Sequence, residues 1–225
     1  MNNYETFGLG GVKLYISKEH RFGTDSVLLG DFAKKSNIKN KTVVDLCSGC
    51  GIIPIILCSA KADSIPRQIY AVEIADEAVA LLEKTVRENG LNSLKVIHGD
   101  LRDKAVLTRI GRESVDLVTA NPPYFPENSG FQRESDSHRT ARYECDCSLR
   151  EVAEAAAFLL KFGGEFKMCM TASRLAECIG IMQSYALEPK EIELVPSKKS
   201  NNARLFLINA KKGGKSGTKI KIKSL

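Results

Sequence analysis

Four polar residues punctuate this chain at intervals that place them along one edge of a sheet. Asp45, Glu73 and Asp100 each close, or directly follow, a short apolar or β-branched run, and Asn121 follows the fourth such run. In open α/β sheets ligands bind at the carboxyl ends of the strands, which is where such acceptors would stand. Taken singly, an acid at a strand end more often bonds a loop or caps a helix; the ordered set carries the ligand reading. Between the first two lies Cys47-Ser48-Gly49-Cys50-Gly51, a run of small residues that ends a buried strand and opens a helix. Gly49 and Gly51 let the backbone turn and approach a ligand without a Cβ clash. Asn121 continues into Pro122-Pro123-Tyr124. The Asn121 amide oxygen and the Pro122 carbonyl can both accept N–H bonds from a planar amine, whose lone pair is otherwise delocalised. Holding those hydrogens favours a pyramidal nitrogen and aims its lone pair, which is positioning more than acid–base catalysis. The prolines stiffen the loop, and Tyr124 with Phe125 offers a face on which a planar group stacks.

The elements that must hold these residues follow from periodicity. Strands are expected at Thr42 to Leu46, Arg67 to Glu73, Leu94 to His98, Val115 to Ala120 and Gly164 to Met170. Helical patterns fill the intervals: Ile52 to Ala60, an amphipathic run capped by Asp76 and stopped by Asn89-Gly90, and an alanine-rich run from Leu149 to Leu160. A further helix spans Arg174 to Tyr185, and Glu191 to Val195 and Leu205 to Ala210 end the chain's core as an antiparallel pair. Ahead of all this, Val12 to Ser17 alternates like a small strand, and Thr24 or Asp25 is placed to cap a helix through Phe32. The fold class is therefore α/β: a mostly parallel sheet of about seven strands with an antiparallel last pair and helices on both faces.

A length of 225 residues sets one main domain with small appendages. Residues 1–41 read as an N-terminal extension over the site, 42–212 as the core domain and 213–225 as a basic tail. The net charge of +6 is uneven: beyond Ser197 there are nine Lys or Arg and no acid, which leaves the rest at −3. Such a tail suits a polyanion, nucleic acid first, or simple solvation. Seven cysteines without a secretion signal, and no bilayer-length apolar run, point to reduced thiols in the cytoplasm and to no membrane partner.

Asp45-Leu-Cys-Ser-Gly-Cys-Gly51, with Glu73 and Asp100, resembles the cofactor motifs of class I S-adenosylmethionine-dependent methyltransferases, with Cys47 standing where that family often has glycine. The resemblance implies a Rossmann-like fold with S-adenosylmethionine as cofactor. Gly49 and Gly51 would lie under its methionine half, Asp45 near its amino group, Glu73 on the ribose hydroxyls, and Asp100 with Leu101 at the adenine. The Asn121 to Tyr124 tetrad resembles that of amino-methyltransferases acting on adenine N6 or on release-factor glutamine. Arg21 to Ala33, RFGTDSVLLGDFA, and Ala141-Arg-Tyr-Glu144 are similar to the tRNA1(Val) (adenine(37)-N6)-methyltransferase family. That resemblance implies tRNA as partner, Asn121, Pro122 and Tyr124 as catalytic residues, and Phe22 to Asp25, with Thr24 and Asp25 as cofactor contacts, closing over the cofactor and helping to shape the target-base pocket.

The stretch Pro126 to Ser148 carries Arg133, Arg139 and Arg142 among aromatics; with Pro123 and Phe125 these are the expected substrate contacts. Cys47-x-x-Cys50 and Cys145-x-Cys147 have zinc-ligand spacing, yet a metal inside the cofactor loop would block the ligand, so no metal is expected. Two other functions stay open. A protein-glutamine methyltransferase acting on release factors shares the tetrad, although about forty residues before the first core strand are too few for the extra helical domain of that design. A non-catalytic RNA-binding module on the same scaffold would need no cofactor at all.

Overall fold

The computed structural model describes residues 11–59, 65–122, 147–197 and 202–223. Eight strands form one sheet in the order β3-β2-β1-β4-β5-β7-β6-β8. The first four are β1 (Thr42–Leu46), β2 (Gln68–Glu73), β3 (Leu94–His98) and β4 (Val115–Ala120). These run parallel, as does β5 (Leu160–Thr171) beside β4. The last expected pair, β6 (Leu187–Pro196) and β7 (Ala203–Lys212), is antiparallel, and β7 is also antiparallel to β5. The crossover helices are α2 (Ile52–Cys58), α3 (Asp76–Glu88), α4 (Lys104–Thr108) and α5 (Leu149–Leu159), followed by α6 (Leu175–Ser184); α1 (Thr24–Ala33) precedes the sheet.

Every residue of β1 is buried, as a central parallel strand covered on both faces requires. Val43 and Leu117 share the face packed by α1, α2 and Leu82 of α3, whereas Val44 and Val118 turn to the face packed by α4, α5 and α6. The pleat thus divides one apolar set into two cores. Strand order changes direction at β1, with β2 on one side and β4 on the other, and beside the carboxyl ends at such a switch point open α/β sheets bind their ligands.

Four local expectations differ from the structure. Val12 to Ser17 is not a ladder strand: Leu14 and Ile16 are buried as the alternation implies, but Lys13 and Tyr15 donate their backbone N–H to Asn89 and Thr85 side chains of the α3 region. Helix α1 is capped by Gly23 and α3 by Ala75, without side-chain cap bonds, so Thr24, Asp25 and Asp76 sit inside the first turns. There, acids still favour the positive end of the helix. An eighth strand, β8 (Lys219–Ile222), lies within the expected basic tail and pairs parallel with β6. Its isoleucines are exposed, while Lys221 and Lys223 pair with Glu191 and Glu193 of β6. No helix among the described residues is long and apolar enough to cross a membrane.

Candidate functional site

At the tip of β1 the chain turns sharply. Cys47 and Gly49 both hold φ of 55° and Gly51 holds 81° before α2 begins at Ile52. The two glycines meet different needs. A Cβ on Gly51 would stand 2.2 Å from the Leu82 side chain, so glycine there lets α3 close on the loop. A Cβ on Gly49 would meet nothing within 4 Å, so this part of the loop opens on free space. Expected together under one ligand, the pair divides into a packing glycine and a crevice glycine.

The acids at the strand tips divide in the same way. Asp45 is fully buried and accepts hydrogen bonds from Ser48 Oγ at 2.6 Å and Thr119 Oγ1 at 2.5 Å. Burial pushes its carboxyl up to about 7, against the opposing effect of those two hydroxyls. It is therefore a pin: it ties the loop after β1 to β4, where Thr119 is its register partner. Glu73 is 3% exposed and staples the turn from the other side. Its Oε2 accepts from Gly49 N at 2.6 Å, and its Oε1 accepts from Ile74 N and Ala75 N. Asp100, at the tip beyond β3, is partly exposed and gripped by Arg102 through Nε, Nη2 and the backbone N–H. The Arg102 guanidinium holds its carboxyl below the usual carboxylate range. Leu101 beside it is buried in the core with Ile97 and Val106.

Asn121 projects from the end of β4 toward the start of α1. Its Nδ2 donates to Ser26 Oγ at 2.8 Å and to Asp25 Oδ2 at 3.3 Å. With the nitrogen fixed by two acceptors, the Oδ1 edge is turned to the opposite side as the acceptor. Asp25 Oδ1 folds back over Gly23, at 2.2 Å from where a Cβ would stand, so glycine at that cap leaves room for the carboxylate. Thr24 is exposed on the same first turn. Pro122 is buried. Pro123, Tyr124, Phe125, Arg133, Arg139 and Arg142 lie outside the described residues.

The structure thus gathers Asp25, Asp45, Gly49, Glu73, Asp100 and Asn121 along one sheet edge. Four further residues hold them and were not singled out by sequence: Ser26, Ser48, Thr119 and Arg102. Ser48 and Thr119 had a readable signal, three residues after Asp45 and one before the last residue of the fourth strand. Ser26 had none beyond its place in the α1 motif. Among the described residues, no group of three or more His, Cys, Asp or Glu is placed to hold a metal ion.

A family model described as a methyltransferase small domain matches residues 15–174. The chain is 32% identical over 153 residues to a tRNA1(Val) (adenine(37)-N6)-methyltransferase of Erwinia tasmaniensis, covering 68% of this chain and 59% of that one. It is 29% identical over 147 residues to a release factor glutamine methyltransferase of Corynebacterium glutamicum, covering 62% and 51%. The chain therefore spans between about half and three fifths of the length of these two curated relatives. Among solved structures, M. jannaschii TYW2 in complex with AdoMet shares the fold, with a TM-score of 0.60 at 16% identity over 89% of this chain and 82% of the other.

Proposed function

This chain belongs to the methyltransferase small-domain family, and on that premise we propose that it transfers a methyl group from S-adenosylmethionine to the exocyclic N6 of an adenine in tRNA. The name of the Erwinia relative points to adenine 37 of tRNA1(Val). The acceptors at the sheet edge fit the cofactor: open space over a left-handed glycine, a carboxylate beside it and a second carboxylate one strand further out. When bound, S-adenosylmethionine supplies an electrophilic methyl on a sulfonium centre. Gly49 leaves room for the methionine half, Glu73 accepts the ribose hydroxyls, and Asp100 accepts the adenine amino group beside Arg102. Asp45 serves the cofactor through the loop it pins and not by direct contact. Thr24 and Asp25 border the crevice from α1.

One observation carries the assignment. The Asn121 carboxamide is fixed by its nitrogen to Ser26 and Asp25, which sets its oxygen as an acceptor at the switch point of the sheet. With the Pro122 carbonyl it holds the two N–H bonds of the target amine, and the amine's proton leaves to water after transfer. Tyr124 and Phe125 stack the flipped base, and Arg133, Arg139 and Arg142 contact RNA phosphates. Asn121→Ala is expected to abolish transfer to tRNA while cofactor affinity stays near that of the parent. Nucleoside mass spectrometry for N6-methyladenosine and calorimetry with S-adenosylhomocysteine read the two; retained transfer overturns the assignment.

The likeness to a release factor glutamine methyltransferase supports a second reading, since an amide nitrogen is held by the same two acceptors. Incubating the protein with labelled cofactor and either total tRNA or purified release factor separates the two by which substrate is labelled.

A further inference from the structure

Two of the chain's seven cysteines, 100 residues apart in sequence, meet beside the loop after β1. Cys47 opens that loop, Cys147 precedes Ser148, the N-cap of α5, and their sulfurs lie 3.6 Å apart. Both residues are half-buried, so small solutes reach them. Cys47 holds φ of 55°, where glycine is the unstrained residue. A side chain is thus kept against the preference of the backbone, and that side chain places its sulfur on a second thiol. Hydrogen bonding from Cys47 holds the Cys147 thiol below the ordinary thiol range, against the opposing effects of burial and of the Glu151 carboxylate, with Arg102 adding a smaller push in the same downward direction. The N-terminus of α5 also favours a thiolate at this place. Three other described thiols differ: burial pushes Cys50 and Cys58 up to about 11 and Cys178 to about 12, which keeps them protonated and unreactive.

We propose that Cys47 and Cys147 are a redox-active dithiol that a hydroperoxide closes to a disulfide, tying the β1–α2 loop to the head of α5. The Cys147 thiolate attacks a peroxide oxygen and the O–O bond breaks. This gives a sulfenic acid and a hydroxide, which recovers as water the proton that Cys147 had released. The Cys47 sulfur then attacks the sulfenic sulfur, the S–O bond breaks, and water leaves with the Cys47 proton. Two thiols lose two electrons in total, and hydrogen peroxide becomes two waters. The consequence for activity rests on the proposed function. Joining the sulfurs draws the loop that would hold the methionine half toward α5, so oxidation weakens cofactor binding. By linkage, bound cofactor then disfavours oxidation by the same factor.

The test uses the full chain, reduced, desalted and treated with hydrogen peroxide at neutral pH. The expected product is about 2 Da lighter, offers two fewer alkylatable thiols, and yields a reducible peptide pair joining Cys47 to Cys147. Cys147→Ser and Cys47→Gly, the latter suited to the left-handed backbone, each abolish that product. A bond between other cysteines, or seven thiols still alkylatable under peroxide that oxidises glutathione, overturns the dithiol. Titration with S-adenosylhomocysteine is expected to show weaker binding to the oxidised form, and equal affinity overturns the coupling. Failure of the reduced protein to bind it overturns the proposed function instead, since the mass readout does not depend on the cofactor.

Discussion

Replacing Asp45 by asparagine is expected to flatten the pH dependence of stability, and the size of the effect follows from burial. The carboxyl has no solvent contact, and its value moves from 3.8 in the open chain to about 7 in the fold. A rise of about three units corresponds to about 4 kcal/mol between the two protonation states. The sign is set by which state holds the proton. Between pH 4 and 7 the folded chain keeps the Asp45 proton and the unfolded chain has released it, so stability falls as pH rises across that window. The contribution is complete below the unfolded value and gone above the folded one. Between pH 5 and pH 8 the loss is about 3 kcal/mol. Asparagine keeps the shape, with its Oδ1 accepting from one of the two hydroxyls and its Nδ2 donating to the other, but it does not titrate. Urea unfolding of the parent and Asp45→Asn at steps from pH 5 to 8 reads the difference, and the subtraction cancels all other groups. A difference that grows in favour of the variant by about 3 kcal/mol supports the reasoning. A flat difference refutes it, because the carboxyl would then be ionised at the same pH in both states.

The positioning of Asn121 is tested at Ser26: Ser26→Ala removes its 2.8 Å acceptor and is expected to lower kcat about tenfold with S-adenosylhomocysteine affinity unchanged. The two loop glycines are expected to fail differently. Gly51→Ala drives a Cβ into Leu82 at a left-handed φ and loses about 3 kcal/mol in chemical unfolding, whereas Gly49→Ala loses about 1 kcal/mol, for φ alone, yet weakens cofactor binding in a calorimetric titration. Lys167, 3% exposed, donates to the Phe32 carbonyl at the end of α1. Lys167→Met keeps its stem packing, so thermal stability changes little while transfer falls through a loosened α1; unchanged kinetics would sink that link.

The order of elements was legible because parallel strands buried on both faces read as short apolar runs with polar ends. Thr42 to Leu46 and Val115 to Ala120 are such runs, and their bounds coincide with β1 and β4. The errors share one cause: alternation of side chains says which residues are buried, not what the backbone bonds to. Leu14 and Ile16 alternate and are buried, but their neighbours' amides are answered by Asn89 and Thr85, 76 and 70 residues away, instead of by a strand. The eighth strand failed in the reverse sense. Lys219 to Lys223 alternates too, but its isoleucines are exposed and Lys221 and Lys223 are held by Glu191 and Glu193. Only the partner strand makes it a strand.

At the site, residue type and position were legible and direction was not. All four tip residues stand at the expected edge, but a carboxylate after a buried strand can face the crevice or turn beneath the loop, and the sequence is the same in both cases. What decides is the supply of donors within reach. Asp45 has Ser48 and Thr119 below it and is drawn fully inward. Glu73 meets the backbone amides of Gly49, Ile74 and Ala75 and is held at the crevice floor. Asp100 is gripped by the exposed Arg102 and stays in reach of solvent. The same reasoning applies to Asn121, whose nitrogen is claimed by a helix that lies before the first strand. The amide that would grip a substrate is thus oriented by residues about 95 positions upstream, and this is why α1 and the tip of β4 must be tested as one unit.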